Sequence, residues 1–126
     1  MSLVYSSNLS ESEKDSFKRK LREKSEVIGH CRIWKGTLNR DGYGILRCMF
    51  RGKRITLTVH RLNYFLCSHE ITLDKNIHVS HLCHQRNCLK ISHLSYEPAQ
   101  VNIHRNMCAL NKVCRGHHGY PKCIFH

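Results

Sequence analysis

Acidic residues are scarce: 9 Asp and Glu stand against 21 Lys and Arg in 126 residues. No stretch approaches the roughly 18 consecutive apolar residues of a membrane helix, which argues against a spanning segment and a membrane partner. The opening Met1-Ser2-Leu3-Val4-Tyr5-Ser6-Ser7-Asn8 has neither the basic start nor the apolar stretch of a secretory signal. The chain therefore reads as intracellular, in the nucleus or cytoplasm. Repeats, low-complexity tracts and long linkers are also missing, and the only prolines are Pro98 and Pro121. One domain is expected. A chain of this length folds roughly 65% of its unfolded surface away from water, so its core is thin and needs staples.

What is present in excess is positive charge. A formal net charge of +12 suits an acidic partner, and for a small basic domain the usual one is a phosphate backbone. A solvated basic face and attraction to anionic lipid are the blander readings.

The 8 Cys and 11 His fall in an informative order. Cys83, Cys88, Cys108, Cys114 and Cys123 crowd the last third together with most of the histidines. A disulfide framework has no use for interleaved imidazoles, whereas zinc takes thiolate and imidazole in one tetrahedron. Cys83-x4-Cys88-x4-His93 supplies three ligands, with Cys31 chosen as the fourth from upstream. Cys108-x5-Cys114-x2-His117, closed by Cys123, makes a local second set in which His118 competes with His117. Four protein ligands leave no open position, so both sites read as structural zinc. Cys48 and Cys67 are left over as small buried hydrophobes.

Ser10-Glu11-Ser12-Glu13 is a capping-box signature, and with Leu9, Phe17 and Leu21 it predicts a helix from about Ser10 to Lys24. The basic run within that helix is read mainly as a solvated face. Strands follow over Arg32–Leu38, Tyr43–Phe50 and Ile55–Val59, separated by turn signals at Asn39-Arg40-Asp41-Gly42 and Arg51-Gly52-Lys53-Arg54. They are expected to form one antiparallel meander, with a short helix over His60–Ser68 packed on it. Arg40, Arg47, Arg51, Lys53 and Arg54 then make a comb of cations on a ribbon wide enough for a DNA major groove, or simply solvent-facing positions. Leu94-Ser95-Tyr96-Glu97 reads as extended, and Pro98 opens a helix over Ala99 to Met107. The expected class is α+β: a small zinc-stabilised antiparallel sheet. Residues 1–28 form an N-terminal helical segment and residues 29–126 the zinc-bound domain.

The stretch Val79-Ser80-His81-Leu82-Cys83-His84, Cys88, His93-Leu94, then Asn102 and Arg105-Asn106, resembles the His-Cys box homing endonucleases, a branch of the His-Me finger (ββα-metal) nucleases. The second cysteine cluster, His30-Cys31, Tyr43-Gly44 and Val59-His60-Arg61 fall in the same order, so the resemblance covers about Cys31 to Cys123. It implies a ββα-metal active site in which His81 is the general base and Asn102 the protein ligand of one catalytic Mg²⁺ or similar divalent cation. By its offset from Tyr43-Gly44, Arg54 matches the arginine on the scissile phosphate, with Arg47 and Arg51 as alternatives. The implied activity is metal-dependent hydrolysis of double-stranded DNA to 5′-phosphate and 3′-hydroxyl ends.

Chemistry makes compatible demands of its own. Phosphodiester hydrolysis needs a base of near-neutral pKa and charge neutralisation on the phosphate. The competing readings are His81 as a zinc ligand, Asn102 as an ordinary helix residue, and Arg105 as either a phosphate contact or the partner of an acidic neighbour. His78 and His84 read as incidental or phosphate-contacting, and His104 as exposed. The runner-up function is a non-catalytic zinc-stabilised DNA- or RNA-binding module; a protein-interaction domain is third. The best-known relatives dimerise through a long C-terminal extension, whereas this chain stops three residues after Cys123. A monomer that nicks with little sequence preference is one expectation, and a homodimer through the N-terminal helix the other.

Overall fold

A computed structural model describes residues 3–6, 8–68, 73–74 and 76–125. The capping box forms as its sequence predicts: Glu13 N donates to Ser10 Oγ at 3.1 Å and Ser10 N to Glu13 Oε1 at 2.9 Å. Helix α2 (Glu11–Glu23) follows a four-residue α1 (Leu3–Ser6). Phe17 and Leu21, one turn apart, are both buried, and they share a core with Val4, Tyr5 and Leu9.

The expected meander is not what the next segment builds. Strand β2 (Cys31–Trp34) pairs backwards with β1 (Ser25–Ile28), around a turn that Gly29 makes at φ 61°. The proposed boundary at residue 28 thus falls inside a hairpin, and the N-terminal helices pack into the same core as Trp34, Leu57 and Leu62. Beyond Trp34 the chain curls around the buried indole instead of continuing as a strand. A Cβ at Gly44 would lie 2.6 Å from the ring, and one at Gly36 2.7 Å. Trp34 Nε1 donates back to Thr37 O, and a lone bridge between Leu38 and Gly44 is what remains of the first pairing.

Strands β3 (Ile45–Phe50) and β4 (Lys53–Thr58) form the second hairpin, with Arg47 opposite Thr56 and Met49 opposite Arg54. Arg51 and Gly52 both have positive φ, 49° and 80°, the conformation that matches the twist of a two-residue hairpin. One face of the hairpin buries Leu46, Phe50 and Leu57; the other exposes Arg47, Met49 and Arg54. Helix α3 (Val59–Cys67) turns Leu62, Phe65 and Leu66 into the core. Arg61 ties it to the following strand by donating to the carbonyls of Ile77 and Asp74.

The third hairpin, β5 (Ile77–His81) with β6 (Leu94–Pro98), leads straight into α4 (Ala99–Asn111). Pro98 is the N-cap, with extended φ and ψ, and the helix runs a turn beyond the expected Met107 until Lys112 adopts the left-handed conformation. The result is a ββα unit with α4 packed on both strands. The class is α+β, with three separate two-stranded sheets among the described residues in place of a single one.

Candidate active site and metal centres

Two neighbouring features bring the first cluster together across 52 residues. The loop after β5 bonds to β2 through Trp34 N to Asn87 O (2.9 Å) and Leu89 N to Arg32 O (2.7 Å). That docking puts Cys31 beside Cys83, Cys88 and the 3₁₀ turn carrying His93. Cys31 Sγ lies 3.7 Å from Cys83 Sγ and 3.5 Å from His93 Nδ1, and Cys88 Sγ lies 3.6 Å from the same nitrogen. Zinc–sulfur bonds of about 2.3 Å in a tetrahedron give ligand–ligand edges of about 3.8 Å. The cluster is therefore spaced as ligands of one zinc ion, with His93 presenting Nδ1. Burial and the neighbouring Cys88 push the Cys31 thiol up to about 11, whereas hydrogen bonding from Cys83 draws Cys88 down to about 4. A dication relieves that crowding by drawing the sulfurs into thiolates.

The second cluster is local. Cys108 near the end of α4, Cys114, His117 and Cys123 place every ligand atom within 4.8 Å of the others. His117 Nε2 sits 3.7 Å from Cys108 Sγ and 3.5 Å from Cys123 Sγ; His118 is exposed and outside the set. The amides of Gly116 and Cys123 both donate to Cys114 Sγ, favouring its thiolate. All eight cysteines are free of disulfides.

Beside the first cluster lies His81, at the end of β5 and only 7% exposed. Its Nε2 is 3.1 Å from the carbonyl oxygen of Cys88. A carbonyl only accepts, so Nε2 carries the hydrogen and the lone pair is on Nδ1, which no described residue engages. Burial foremost pushes His81 down to about 4, leaving the ring neutral at physiological pH. It belongs to neither ligand set. Asn102, on the first turn of α4, is half-buried; its Oδ1 accepts from Ser80 Oγ at 2.8 Å, and its Nδ2 is 3.2 Å from His78 Nδ1. An amide oxygen has a second lone pair, so Ser80 orients the group without exhausting it, and the donor set suits a hard cation.

The chain matches the family model described as the zinc-binding loop region of homing endonuclease over residues 2–124. It belongs to that family. Comparison with curated proteins and with solved structures gives no match. Membership in this homing-endonuclease family fits both four-ligand clusters to two zinc ions and the ββα unit to a His-Me finger.

Two arginines assigned to nucleic acid turn out to be engaged elsewhere in this homing-endonuclease domain. Arg105 is 1% exposed. It forms a bidentate pair with Glu97, Nη2 to Oε2 at 2.9 Å, and donates to Pro121 O and Cys123 Sγ. It joins the ββα unit to the second cluster, where three thiolates on one zinc leave a net negative charge, and it is not available to a phosphate. Arg51 reaches across to α2 and grips both oxygens of Glu13 at 2.9 Å. Arg54 and Arg47, with Lys53 and Arg40, are exposed.

Other side chains near His81 carried little or no local signal. The His60 ring lies 4.5 Å from that of His81 and stacks on Tyr43 at 5.2 Å. Its buried Nδ1 has no hydrogen-bond partner among the described residues, and burial, then the nearby His81 and Arg61, hold it well below the ordinary histidine value. Only its place in Val59-His60-Arg61 marked it. Arg86, in the Cys83–Cys88 loop, covers the Tyr43 ring and bonds to Asp41 O. His78 and His104 are exposed, while His84 packs on Phe125. Cys67, expected inside, ends α3 exposed, and Cys48 is half-buried.

Proposed function

We propose that the domain is a metal-dependent endonuclease of double-stranded DNA, with His81 as general base and Asn102 as the protein ligand of one catalytic divalent cation such as Mg²⁺. The observation that carries this reading is the hydrogen bond from His81 Nε2 to Cys88 O, which fixes the tautomer a base requires. Nδ1 takes a proton from water as the oxygen bonds to phosphorus. The P–O3′ bond breaks, leaving a 5′-phosphate and a 3′ oxygen that is protonated by solvent. A bound divalent cation supplies charge neutralisation on the phosphate and the departing oxygen. Ser80 holds Asn102 in place, and the ring stack of Tyr43 and His60 keeps His81 from rotating. Arg54, with Arg47 beside it on the exposed hairpin face, contacts the phosphate backbone.

Supercoiled plasmid tests it. Nicking is expected with Mg²⁺, none with EDTA, and a loss of roughly 10²–10⁴-fold with His81→Ala, two zinc ions per chain being retained. If the wild type binds DNA or RNA yet never nicks it with any of several divalent ions, the domain is a non-catalytic binding module instead. Both homodimerisation and a monomeric nickase are compatible with this chemistry, and sedimentation with and without DNA separates them.

A further inference from the structure

A cleft of about 650 Å³ opens between the C-terminal half of α2, the β1–β2 hairpin, α3 and the turn before β6. Its rim carries Lys18, Arg22, Arg32 and Lys90. Leu21 and Leu89 are buried at the base, and Val27 and Ile91 stand 67% and 45% exposed on the walls, beside the polar Ser25, His30 and Asn63 and the first-cluster residue Cys31. Among the described residues no carboxylate and no Phe, Tyr or Trp ring lines it. Strand alternation produces this segregation, since β1 turns Ser25 and Val27 into the cleft and Glu26 away from it. Arg32, opposite Val27 in the register, is braced by Nη1 to Ser25 Oγ at 3.1 Å. Among the described residues the ion pairs are Lys14–Glu11, Arg51–Glu13 and Arg105–Glu97; none involves a rim cation.

We propose that this cleft docks an acidic, aliphatic peptide segment of a partner protein. Four cations with no carboxylate among them call for an anionic ligand, and exposed Val27 and Ile91 call for an apolar one. A peptide with carboxylates and leucine-like side chains on one surface meets both demands, as in helix-in-groove recognition. Nucleic acid meets the first but not the second: bases are held on aromatic rings, of which the described lining offers only the His30 imidazole beside aliphatic side chains, and a convex duplex does not fill a concavity. Asn63 on α3 lines the cleft as Cys67 does, and Cys67 lies seven residues, about 10 Å of helix rise, beyond His60 beside the base. A partner held here is anchored apart from the cationic hairpin.

The test is fluorescence anisotropy with the zinc-loaded full chain and a labelled 14-residue peptide carrying Leu at helical spacing and Glu elsewhere. Saturable binding is expected at near-physiological salt. Lys18→Glu with Arg22→Glu should weaken it about tenfold, and a peptide with Ser in place of Leu should bind at least as poorly. Arg47→Glu with Arg54→Glu should leave it unchanged. Zinc content and circular dichroism verify that each variant is folded. Equal binding by wild type and the Lys18/Arg22 variant overturns the proposal. So does a 14-nucleotide single strand that displaces the peptide and itself depends on Lys18 and Arg22, which makes the cleft a nucleic-acid surface. The readout is peptide binding, so the result is independent of whether the domain cleaves DNA.

Discussion

The carbonyl oxygen of Cys88 lies 3.1 Å from Nε2 of His81, so a residue whose sulfur belongs to the first metal cluster also orients the imidazole through its backbone. Folding of that cluster and orientation of the His81 ring are therefore coupled. Cys88→Ser should lower bound zinc from two ions to one and nicking by about 100-fold or more. Cys114→Ser should lose one zinc as well but keep more of the activity, because none of its cluster's residues bonds to His81 itself; the cluster reaches that strand through α4, Arg105 and the bond from Ile124 N to Leu82 O. Elemental analysis beside a plasmid assay checks both.

Ser80 is 1% exposed and its hydroxyl is spent on Asn102. Ser80→Ala should leave Asn102 free to rotate, at a cost of about 1 kcal/mol. The Mg²⁺ concentration for half-maximal nicking should rise about fivefold, with the rate at saturating Mg²⁺ nearly unchanged. A fall in the saturated rate with no change in metal demand would contradict this role.

The Glu97–Arg105 pair is buried on both sides, with side chains 0% and 2% exposed. Glu97→Gln should destabilise the domain by about 3–5 kcal/mol, since the guanidinium is left buried without its counter-charge. Burial alone raises the Glu97 pKa, but hydrogen bonds from Arg105 foremost, and from the Ser95 hydroxyl, outweigh it and hold the group below its ordinary 4.5. Its contribution is therefore complete above that value and is lost as pH falls through the lower folded value. Urea unfolding across a pH series should find the gap between wild type and variant closing towards acid.

Arg47 and Arg54 face solvent on the hairpin, whereas Arg51 is held by Glu13. Arg47→Ala and Arg54→Ala should each reduce the slope of log affinity against log salt by about 0.9. Arg51→Ala should leave the slope unchanged. Its bonds hold Glu13 down to about 2, so the Arg51–Glu13 contact persists through the mildly acidic range. Filter binding at several salt concentrations distinguishes the three variants.

Much of the local structure is legible in the residues themselves. A serine three positions before Glu13 encodes a capping box whatever the rest of the chain does. Arg51-Gly52 between apolar runs encodes a hairpin, although Lys53 and Arg54, expected in the turn, already belong to β4 and Val59, expected in the strand, begins α3; Pro98 after an extended segment encodes a helix start. The meander was misread because Arg32–Leu38 has the same strand chemistry in either pairing. The choice in favour of Ser25–Ile28 was made by Trp34, which needs the space at Gly36 and Gly44. Arg105 was similarly ambiguous: an arginine one turn after Asn102 suits a phosphate as well as a carboxylate until β6 brings Glu97 beneath it.

The sequence by itself determined the cysteines and His93 of the ligand sets that lie close together, Cys83-x4-Cys88-x4-His93 and Cys108 to Cys123, because a short loop around one ion is governed by spacing and side-chain chemistry, but it left His117 and His118 in competition. It also determined the excess of cations and their comb on the β3–β4 hairpin. The structure places Cys31, chosen from the sequence, with the first set from 52 residues away; only the tertiary structure decided that His117 and not His118 joins the second, that the Cys88 backbone holds His81, and that Arg51 and Arg105 are bound within the protein. It likewise gathered Lys18, Arg22, Arg32 and Lys90 around one cleft. Each of these depends on which distant surfaces pack together, and that competition is settled by burial and charge pairing over the whole chain, not by the few residues on either side.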